Sequence, residues 1–556
     1  ASGEVMTTIP EPKELKLNFP SWRDGQVKAI EWLESEDWLN DIQKDERDIK
    51  ALEAPTGTGK TGIILALAKL NPDLRFLILC ATKLEQEQYG KNLTSSEGVI
   101  SIKGMNNYHC MIKHPSVEEE IVNGSGEDVE CSDNQCWMVH VDEAPCRVEG
   151  KGKFDCPQKA ICPYFADRAR ARQEQSVVTN YSMGLSMLNY TEGLLGEFDV
   201  IVEDEGHVLD EMLENFIAVK LSRRVVKRIF QIDLPRFSEG GDIPRWASWV
   251  RDWENEIAAI ANSYQEVDPS LMTKSELRDA LTAQRYADAF SRVEGMDYEW
   301  VVEETNRGEN YEFKPVWVTD DSEKVLFEHA PRHIIMSGTI PSSIELGAKV
   351  GLTNADFSFF RLPYTFPPEN RQIILKPSVS LKRSDLHANL PVLVDKVDEV
   401  LEENLFKKIL IHAKTYEIAQ YIVEASDYSD YMMTHRSQDR IVVLEEFKAA
   451  EAPCILVSPS FDKAVDLPGD ECELIIIVKV PYPYLGSKVM SQRAKKNRKY
   501  YIHETLMTII QMAGRGVRSE VDVCPTIILD KLGPTFFKQA RKMIPAGIKE
   551  AIVEDK

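Results

Sequence analysis

The sequence lacks long hydrophobic runs and an excess of positive charge. No stretch approaches the roughly 18 uninterrupted apolar residues of a membrane span, and the first residues, Ala1 to Met6, lack the basic-then-apolar order of a secretory signal. Lys and Arg number 66 against 90 Asp and Glu, which gives a formal net charge of −24. Bulk electrostatic coating of nucleic acid is therefore disfavoured, and any such contact would need a local groove. We expect an intracellular protein with no membrane partner.

Internal repeats and low-complexity linkers are also missing from the sequence. Its 556 residues exceed one ordinary core, so two to four domains that share buried surface are expected. Cysteine is unevenly placed: six of the ten lie between Cys110 and Cys162, and the other four are the isolated Cys80, Cys454, Cys472 and Cys524. Regular periodicity disappears between His114 and Lys153. In an intracellular protein this pattern favours an inserted, metal-pinned module over disulfides.

A glycine-rich turn stands between an apolar strand and a helix rich in alanine and leucine, over residues 49–69. In such a turn, glycines let backbone amides approach the β- and γ-phosphates of a nucleotide, while Lys60 supplies positive charge and Thr61 a magnesium ligand. The first position is Ala54, where the general pattern has glycine. The pattern predicts an ATP and Mg²⁺ site formed by Ala54, Pro55, Thr56, Gly57, Thr58, Gly59, Lys60 and Thr61.

Nucleotide hydrolysis also requires carboxylates after a second apolar strand. The segment Val200 to His207 ends a strand with Glu-Asp-Glu-Gly-His, about 140 residues beyond the glycine-rich turn. Asp204 is expected to hold magnesium, directly or through water, and Glu205 to polarise the attacking water.

Arginines for the transition state lie near the end of the chain. The segment Gln511 to Arg518 places Arg515 and Arg518 three residues apart, which predicts two arginine fingers on one helix face. They belong to a second α/β set that follows Arg371, so ATP is expected to sit between two α/β halves. The predicted strands of this set are Lys408 to His412, Ile455 to Ser458, Leu474 to Val480 and Thr526 to Leu529.

Together these motifs resemble the XPD/DinG branch of the superfamily two helicases, and the resemblance covers nearly the whole chain. Phe19 to Gln26 resembles the adenine-reading motif, which implies contacts from Arg23 and Gln26. Four further segments resemble motifs Ia, III, IV and V: Thr82 to Gln88, Ser337 to Thr339, Ile411 to Thr415 and Ser458 to Asp466. The resemblance also implies roles at the nucleotide site for His207, Gln511 and Asp466. Two positions depart from the family pattern, Gly206 in Asp-Glu-Gly-His and Ala464 in motif V, and neither removes a charge.

The cysteine region resembles the iron–sulfur domain of this family at both borders, Lys103 to Cys110 and Cys162 to Phe165. A [4Fe–4S] cluster needs four thiolates. The resemblance implies Cys110 and Cys162, the compact spacing before Cys162 adds Cys156, and Cys146 is favoured as the fourth. Cys131 and Cys136 form a competing pair, and a zinc site is the alternative for the whole module.

The resemblance implies an α/β fold with two RecA-like parallel-sheet motor domains, an inserted iron–sulfur module and a helical arch domain. The first motor domain comprises 1–105, 165–213 and 319–371, the iron–sulfur domain 106–164, the arch 214–318 and the second motor domain 372–556. In the arch, Trp246, Trp249 and Trp253 share one helix face and are expected in its core. A basic segment, Lys488 to Lys499, followed by Tyr500 and Tyr501, is the best local candidate for contact with DNA.

The function implied is an ATP-dependent DNA helicase that translocates on single-stranded DNA, 5′ to 3′, and unwinds forked duplex as a monomer. It would be cytoplasmic or nucleoid-associated, with unknown protein partners. One alternative is a translocase that strips proteins or RNA–DNA hybrids from single strands. Another is a DNA-binding scaffold with a vestigial motor. A fused nuclease is not supported, because motor, cysteine module and arch account for all 556 residues.

Overall fold

The computed structural model describes residues 9–35, 38–39, 47–55, 57–93, 98–110, 141, 144–147, 156–190, 195–238, 241–297, 299–353, 355–461 and 467–554. Of the candidate site residues named above, Thr56, Cys131, Cys136 and Asp466 lie outside these ranges, as does Ala464 of motif V. Within them, no helix combines the length and the apolar character needed to cross a membrane.

The chain begins with a parallel α/β unit. Its strands are β1 (Asp48–Glu53), β2 (Phe76–Cys80), β3 (Val99–Ser101), β4 (Ser176–Asn180) and β5 (Val200–Asp204). Its helices are α1 (Gln26–Glu34), α2 (Lys60–Leu70), α3 (Lys83–Lys91), α4 (Pro163–Ala171), α5 (Tyr181–Tyr190) and α6 (Leu209–Ile217). Every residue of β2 is buried, and alternate side chains enter opposite core clusters: Leu77 and Leu79 in one, Phe76, Ile78 and Cys80 in the other. Continuous apolar strands of this kind suit a sheet covered on both faces, and Cys80 is an apolar core residue.

A smaller unit of helices and antiparallel strands follows. It contains β6 (Val219–Ser222), α7 (Arg223–Phe230), α8 (Ile243–Gln265), α9 (Lys274–Glu294), β7 (Trp300–Thr305) and β8 (Asn310–Pro315), with strand order β6-β8-β7. The expectation of a mostly helical segment missed these strands, because β8 buries only Tyr311, Phe313 and Pro315 between charged neighbours. Trp246 is fully buried, whereas Trp253 is 37% exposed, so the expected tryptophan core is confirmed for Trp246 and wrong for Trp253.

The chain then completes the first sheet. The elements are α10 (Thr319–Val325), β9 (Arg332–Ser337), α11 (Ser343–Lys349) and β10 (Phe357–Arg361). All pairs are parallel, in the order β10-β1-β9-β5-β2-β4-β3. Because β9 lies between β1 and β5, the carboxyl ends of these three strands meet at one edge. That edge is where ligands bind in open parallel sheets.

A second seven-stranded parallel sheet forms the other half. Its strands are β11 (Ile373–Val379), β12 (Lys408–His412), β13 (Met432–Thr434), β14 (Cys454–Ser458), β15 (Leu474–Ile477), β16 (Thr526–Asp530) and β17 (Ile552–Glu554), in the order β13-β14-β12-β15-β16-β11-β17. Its helices are α12 (Leu386–Asn404), α13 (Tyr416–Ala425), α14 (Arg440–Ala449), α15 (Lys488–Lys496), α16 (Arg498–Ala513), α17 (Gly533–Ala540) and α18 (Ala546–Ala551). The prediction of two RecA-like parallel-sheet domains is confirmed.

The helix α16 ends earlier than the arginine spacing predicted. It stops at Ala513, so Arg515 and Arg518 lie in the segment after the helix and do not share a helix face. Gly514 is the C-cap of the helix, and a Cβ atom at Gly516 would lie 2.3 Å from the Cys524 sulfur, so the segment after the helix packs closely against the chain that precedes β16. The helix-face expectation is therefore wrong, whereas the position of both arginines in the second half holds.

Candidate nucleotide site

The glycine-rich turn leads from β1 into α2 and is anchored to β9. The Ala54 amide donates to the Ser337 carbonyl oxygen over 2.9 Å. Gly57 and Gly59 have φ values of 85° and 77°, which other residues rarely adopt. At the start of α2 no side chain caps the free amides. Amides at a helix N-terminus attract phosphate, so the turn has the geometry of a phosphate site.

Arg23, before α1, and Gln26, the first residue of α1, form hydrogen bonds with this glycine-rich turn. The Gln26 side chain donates from Nε2 to the Gly59 carbonyl over 3.0 Å, and its Oε1 accepts from the Arg23 amide over 2.7 Å. The Arg23 guanidinium donates to the Gly57 carbonyl. The structure thus brings both residues of the suspected adenine-reading motif against the turn.

Asp204 ends β5 beside the turn, and Glu205 follows it. The Asp204 carboxylate is buried, and its two oxygens accept from the Glu205 amide over 2.9 Å and from the Tyr89 hydroxyl over 2.8 Å. Glu205 has a φ of 52°, a conformation that carries backbone strain and clusters at functional sites. Its carboxylate forms an ion pair with Lys60. Lys60, Asp204 and Glu205 therefore meet at the edge predicted for the site.

The two carboxylates differ in their affinity for protons. Burial raises the pKa of Asp204 to about 6, against the opposing charge of Lys60. Burial also opposes the charge of Glu205, yet Lys60 and His207 hold its pKa below the ordinary range. Glu205 is therefore ionised at neutral pH, as an acceptor of a proton from water must be. A bound Mg²⁺ ion would favour the ionised form of Asp204.

His207 joins the second carboxylate motif to the suspected motif III. Its Nδ1 lies 2.9 Å from the Ser337 hydroxyl and 3.1 Å from a Glu205 oxygen. The Ser337 hydroxyl also accepts from the Thr339 amide over 3.1 Å. The two segments predicted from sequence thus share one hydrogen-bond network.

The arginine segment of the second half faces the glycine-rich turn. A Cβ atom at Gly57 would lie 3.2 Å from the Arg518 carbonyl oxygen and 2.3 Å from the Phe366 ring. Arg515 is buried next to His412, whose pKa falls to about 3 through burial and the arginine's charge. Gln511 lies in the last turn of α16, partly exposed. The cleft is therefore bordered by both halves, as the sequence predicts.

The basic segment 488–499 is only in part an exposed surface. Arg493 is buried, and its guanidinium lies 2.7 Å from a Glu214 oxygen. Tyr500 is buried as well, and Lys496 forms an ion pair with Glu299 over 2.6 Å. The interpretation as a DNA-binding patch is therefore wrong for Arg493 and Tyr500, which connect the two halves.

The four favoured cysteines lie in one region of the described structure, near Cys146. Cys110 and Cys146 pack around Ala144. Burial and the sulfurs of Cys156, Cys110 and Cys162 raise the pKa of the Cys146 thiol to about 11, so Cys146 neighbours the other three. In the described part of the chain, no three or more His, Cys, Asp or Glu side chains surround a common centre as metal ligands would.

Sequence reasoning missed two tyrosines that position Asp204. Tyr89 on α3 contacts its carboxylate, and the Tyr181 hydroxyl on α5 donates to its backbone carbonyl over 2.9 Å. Glu85, also on α3, lies near the same charges: burial, Glu205 and Asp204 raise its pKa to about 7. The sequence contains one signal for this role: Tyr89 follows Glu85 by four residues, so both side chains lie on the helix face that is directed at the sheet.

Comparisons with known proteins agree with this geometry. The family model described as the res subunit of type III restriction enzymes matches residues 20–234, and the model described as the helicase C-terminal domain matches residues 401–550. The ATP-dependent DNA helicase YoaA of Haemophilus influenzae is 22% identical over 88% of this chain and 89% of its own length. The ATP-dependent DNA helicase DinG of Photobacterium profundum is 22% identical over 62% of this chain and 57% of its own length.

Solved structures share the fold. The Xpd4 structure from S. tokodaii has a TM-score of 0.58 at 16% identity, and an XPD helicase structure has a TM-score of 0.60 at 14% identity. Both alignments cover 96% of this chain and 100% of the other. Together, the matched models, the curated relatives and the paired motor sheets support similarity of this chain to the XPD/DinG-like helicases of superfamily two.

Proposed function

We propose that the protein is an ATP-dependent DNA helicase that translocates on single-stranded DNA, 5′ to 3′, and unwinds duplex as a monomer. The observation that carries the proposal is the cleft in which Lys60, Asp204 and Glu205 of one half face the Arg518 segment of the other. A site completed by two halves links each nucleotide turnover to their relative movement. The curated relatives named as ATP-dependent DNA helicases support the choice of DNA.

The residues present suit ATP with Mg²⁺. Asp204 and Thr61 would hold the metal ion, which neutralises phosphate charge. Glu205 orients a water molecule and accepts its proton as the water oxygen attacks the γ-phosphorus. The bond from that phosphorus to the bridging oxygen breaks, which releases ADP and phosphate. Arg515 and Arg518 stabilise the charge that builds on the phosphate oxygens.

Four cysteines of this region match the number of thiolates that a [4Fe–4S] cluster needs, and the sulfurs of Cys110, Cys156 and Cys162 lie close enough to Cys146 to raise the pKa of its thiol. Cys110, Cys146, Cys156 and Cys162 would hold the cluster, which would link segments of the chain that are distant in sequence. The turn Pro145–Arg147 of this module contacts the turn Pro269–Leu271 of the helical unit. We propose that these two parts border the path of a single strand.

The cluster proposal is tested through iron content and visible absorption of anaerobically purified protein. Cys146→Ser should lose most of the iron, whereas Cys80→Ser, in the apolar core, should keep it. The double variant Cys131→Ser/Cys136→Ser should also keep it. Loss of iron only in that double variant would make Cys131 and Cys136 the inner ligands, and zinc in place of iron would contradict the cluster.

The motor proposal is tested with Glu205→Gln. This variant should bind ATP like the wild type and lose both hydrolysis and unwinding, while the exposed Glu451→Gln should be unaffected. Activity on a forked duplex, an RNA–DNA hybrid and a streptavidin-blocked single strand distinguishes the two candidate functions. A helicase unwinds the forked duplex, whereas a translocase that removes proteins or hybrids from single strands unwinds it poorly. Normal unwinding by Glu205→Gln would contradict the assignment of the site.

A further inference from the structure

A buried cluster of charges joins the two halves behind the nucleotide cleft. At its centre, the Lys349 ammonium at the end of α11 lies 2.6 Å from a Glu504 oxygen on α16 and 3.2 Å from an Asp210 oxygen on α6. The same ammonium donates to the backbone carbonyl of His207 over 3.1 Å. Lys349 therefore contacts the carboxylate turn of one half and the helix that precedes Arg515 in the other.

A second cation completes the contact. The Arg493 guanidinium on α15 lies 2.7 Å from a Glu214 oxygen and 3.6 Å from an Asp210 oxygen, and it donates to the Val316 carbonyl over 2.6 Å. Asp210 is thus shared by Lys349 and Arg493. The cluster alternates positive and negative groups across the boundary between the halves.

Lys349 and Glu504 are both charged at neutral pH. Burial opposes the charge of Lys349, but Asp210 and Glu504 raise its pKa overall. Burial likewise opposes the charge of Glu504, and Lys349 and His503 hold its pKa below the ordinary range. Separating a buried ion pair leaves a charge without compensation, which is strongly unfavourable. The cluster therefore favours a defined position of α16 relative to the carboxylate turn.

We infer that Lys349 is a positioning residue that couples the Asp204–His207 turn to α16, and this inference rests on the proposed motor function. When the nucleotide state changes, the turn that carries Glu205 shifts and moves the His207 carbonyl. Lys349 follows this oxygen and transmits the movement to Glu504. Because α16 leads directly into the arginine segment, the second half senses the nucleotide through this contact as well as through the phosphates.

Hydrogen exchange of the full chain, with and without the nonhydrolysable ATP analogue AMP-PNP and Mg²⁺, tests the inference in the absence of DNA. Slower exchange in α2 reports nucleotide binding, and slower exchange in α16 reports coupling. In Lys349→Met and Glu504→Gln, AMP-PNP and Mg²⁺ should slow exchange in α2 as in the wild type. The slowing of exchange in α16 should fall by at least about half in both variants. Glu504→Gln preserves side-chain volume and leaves Asp210 beside Lys349, so it decides the result if Lys349→Met fails to fold.

Lys408→Met is the matched control. Lys408 is a buried lysine that donates within the second half alone, to the Lys448 carbonyl over 2.9 Å. It should keep the slowing in α16 even if it lowers thermal stability as much as Lys349→Met does. Wild-type slowing of α16 in both coupling variants, or an equal loss in the control, would overturn the inference.

Steady-state ATP hydrolysis with single-stranded DNA adds a second readout. Both coupling variants should keep the KM for ATP within about twofold and lower the DNA-stimulated kcat about tenfold. An unchanged kcat would count against the coupling role of Lys349. A wild-type protein whose hydrolysis ignores DNA would contradict the proposed helicase, and the exchange measurement would still decide the role of Lys349.

Discussion

Replacing Tyr89 by phenylalanine removes one hydrogen bond from the Asp204 carboxylate and little else. Burial, Asp204 and the other nearby acids raise the pKa of the Tyr89 hydroxyl, so it stays protonated and acts as a donor. A buried hydrogen bond to a charged group contributes about 1.5–3 kcal/mol. At about 1.36 kcal/mol per pKa unit, its loss should raise the pKa of Asp204 by about 1–2 units.

The assay is the rate of DNA-stimulated ATP hydrolysis between pH 5.5 and 9. With the pKa of Asp204 raised by about 1–2 units from about 6, the ionised fraction at pH 6.5 falls about 3- to 25-fold, whereas at pH 9 it is nearly unchanged. The acid limb of the Tyr89→Phe profile should therefore move upward by about 1–2 pH units.

Tyr181→Phe is the control for this prediction. Tyr181 is equally buried and loses the same hydroxyl group, but its partner is the backbone carbonyl of Asp204 and not the carboxylate. Its acid limb should stay at the wild-type position. Identical profiles for Tyr89→Phe and Tyr181→Phe would refute the assignment of Tyr89 as the donor that tunes Asp204.

Three further predictions follow from local geometry. Gly57→Ala should weaken ATP binding at least about tenfold in a nucleotide titration, because the added Cβ atom would meet the Phe366 ring and Gly57 has a φ of 85°. Adding Phe366→Ala to this variant should recover only part of the lost affinity. Wild-type affinity in Gly57→Ala would contradict this geometry. The folded chain keeps His412 neutral down to about pH 3, whereas the unfolded chain protonates it below about pH 6.5. The free energy of unfolding of the wild type should therefore fall on acidification below pH 6.5 more steeply than that of His412→Gln. In urea unfolding, the two slopes should differ by up to about 1.4 kcal/mol per pH unit. Equal slopes would show that His412 titrates normally. Trp246→Ala should cost about 3–5 kcal/mol and Trp253→Ala less than about 0.5 kcal/mol in the same assay, since only Trp246 is fully buried.

The parallel sheets were predictable because their strands are continuous apolar runs that a short-range pattern reveals. The strand Lys408–His412 agrees with its prediction at both ends, and Thr526–Asp530 differs by one residue. The antiparallel strand Asn310–Pro315 was missed, although its alternation of apolar and polar residues is the pattern of a half-buried strand, because the surrounding segment is mostly helical and charged.

The residues of the candidate site also fall into two groups, those that local sequence predicts and those that depend on tertiary contacts. Lys60 and Asp204 were predicted as site residues from their motifs, and the structure places both next to Glu205. Arg515 lies after the helix because α16 ends at its C-cap residue Gly514, a helix-end signal that the arginine spacing alone does not contain. The burial of Arg493 depends on Glu214 in the other half, and a run of basic residues cannot distinguish that partner from water.

The most direct test of the account is ATP hydrolysis by the folded wild-type protein with and without a single-stranded oligonucleotide. Stimulation of about tenfold or more would correspond to at least about 1.4 kcal/mol of additional transition-state stabilisation when the strand is bound. The account predicts this stimulation, because the cleft is completed by two halves whose positions a bound strand would fix. Hydrolysis that is absent, or present and indifferent to the strand, would contradict the motor and favour a DNA-binding scaffold.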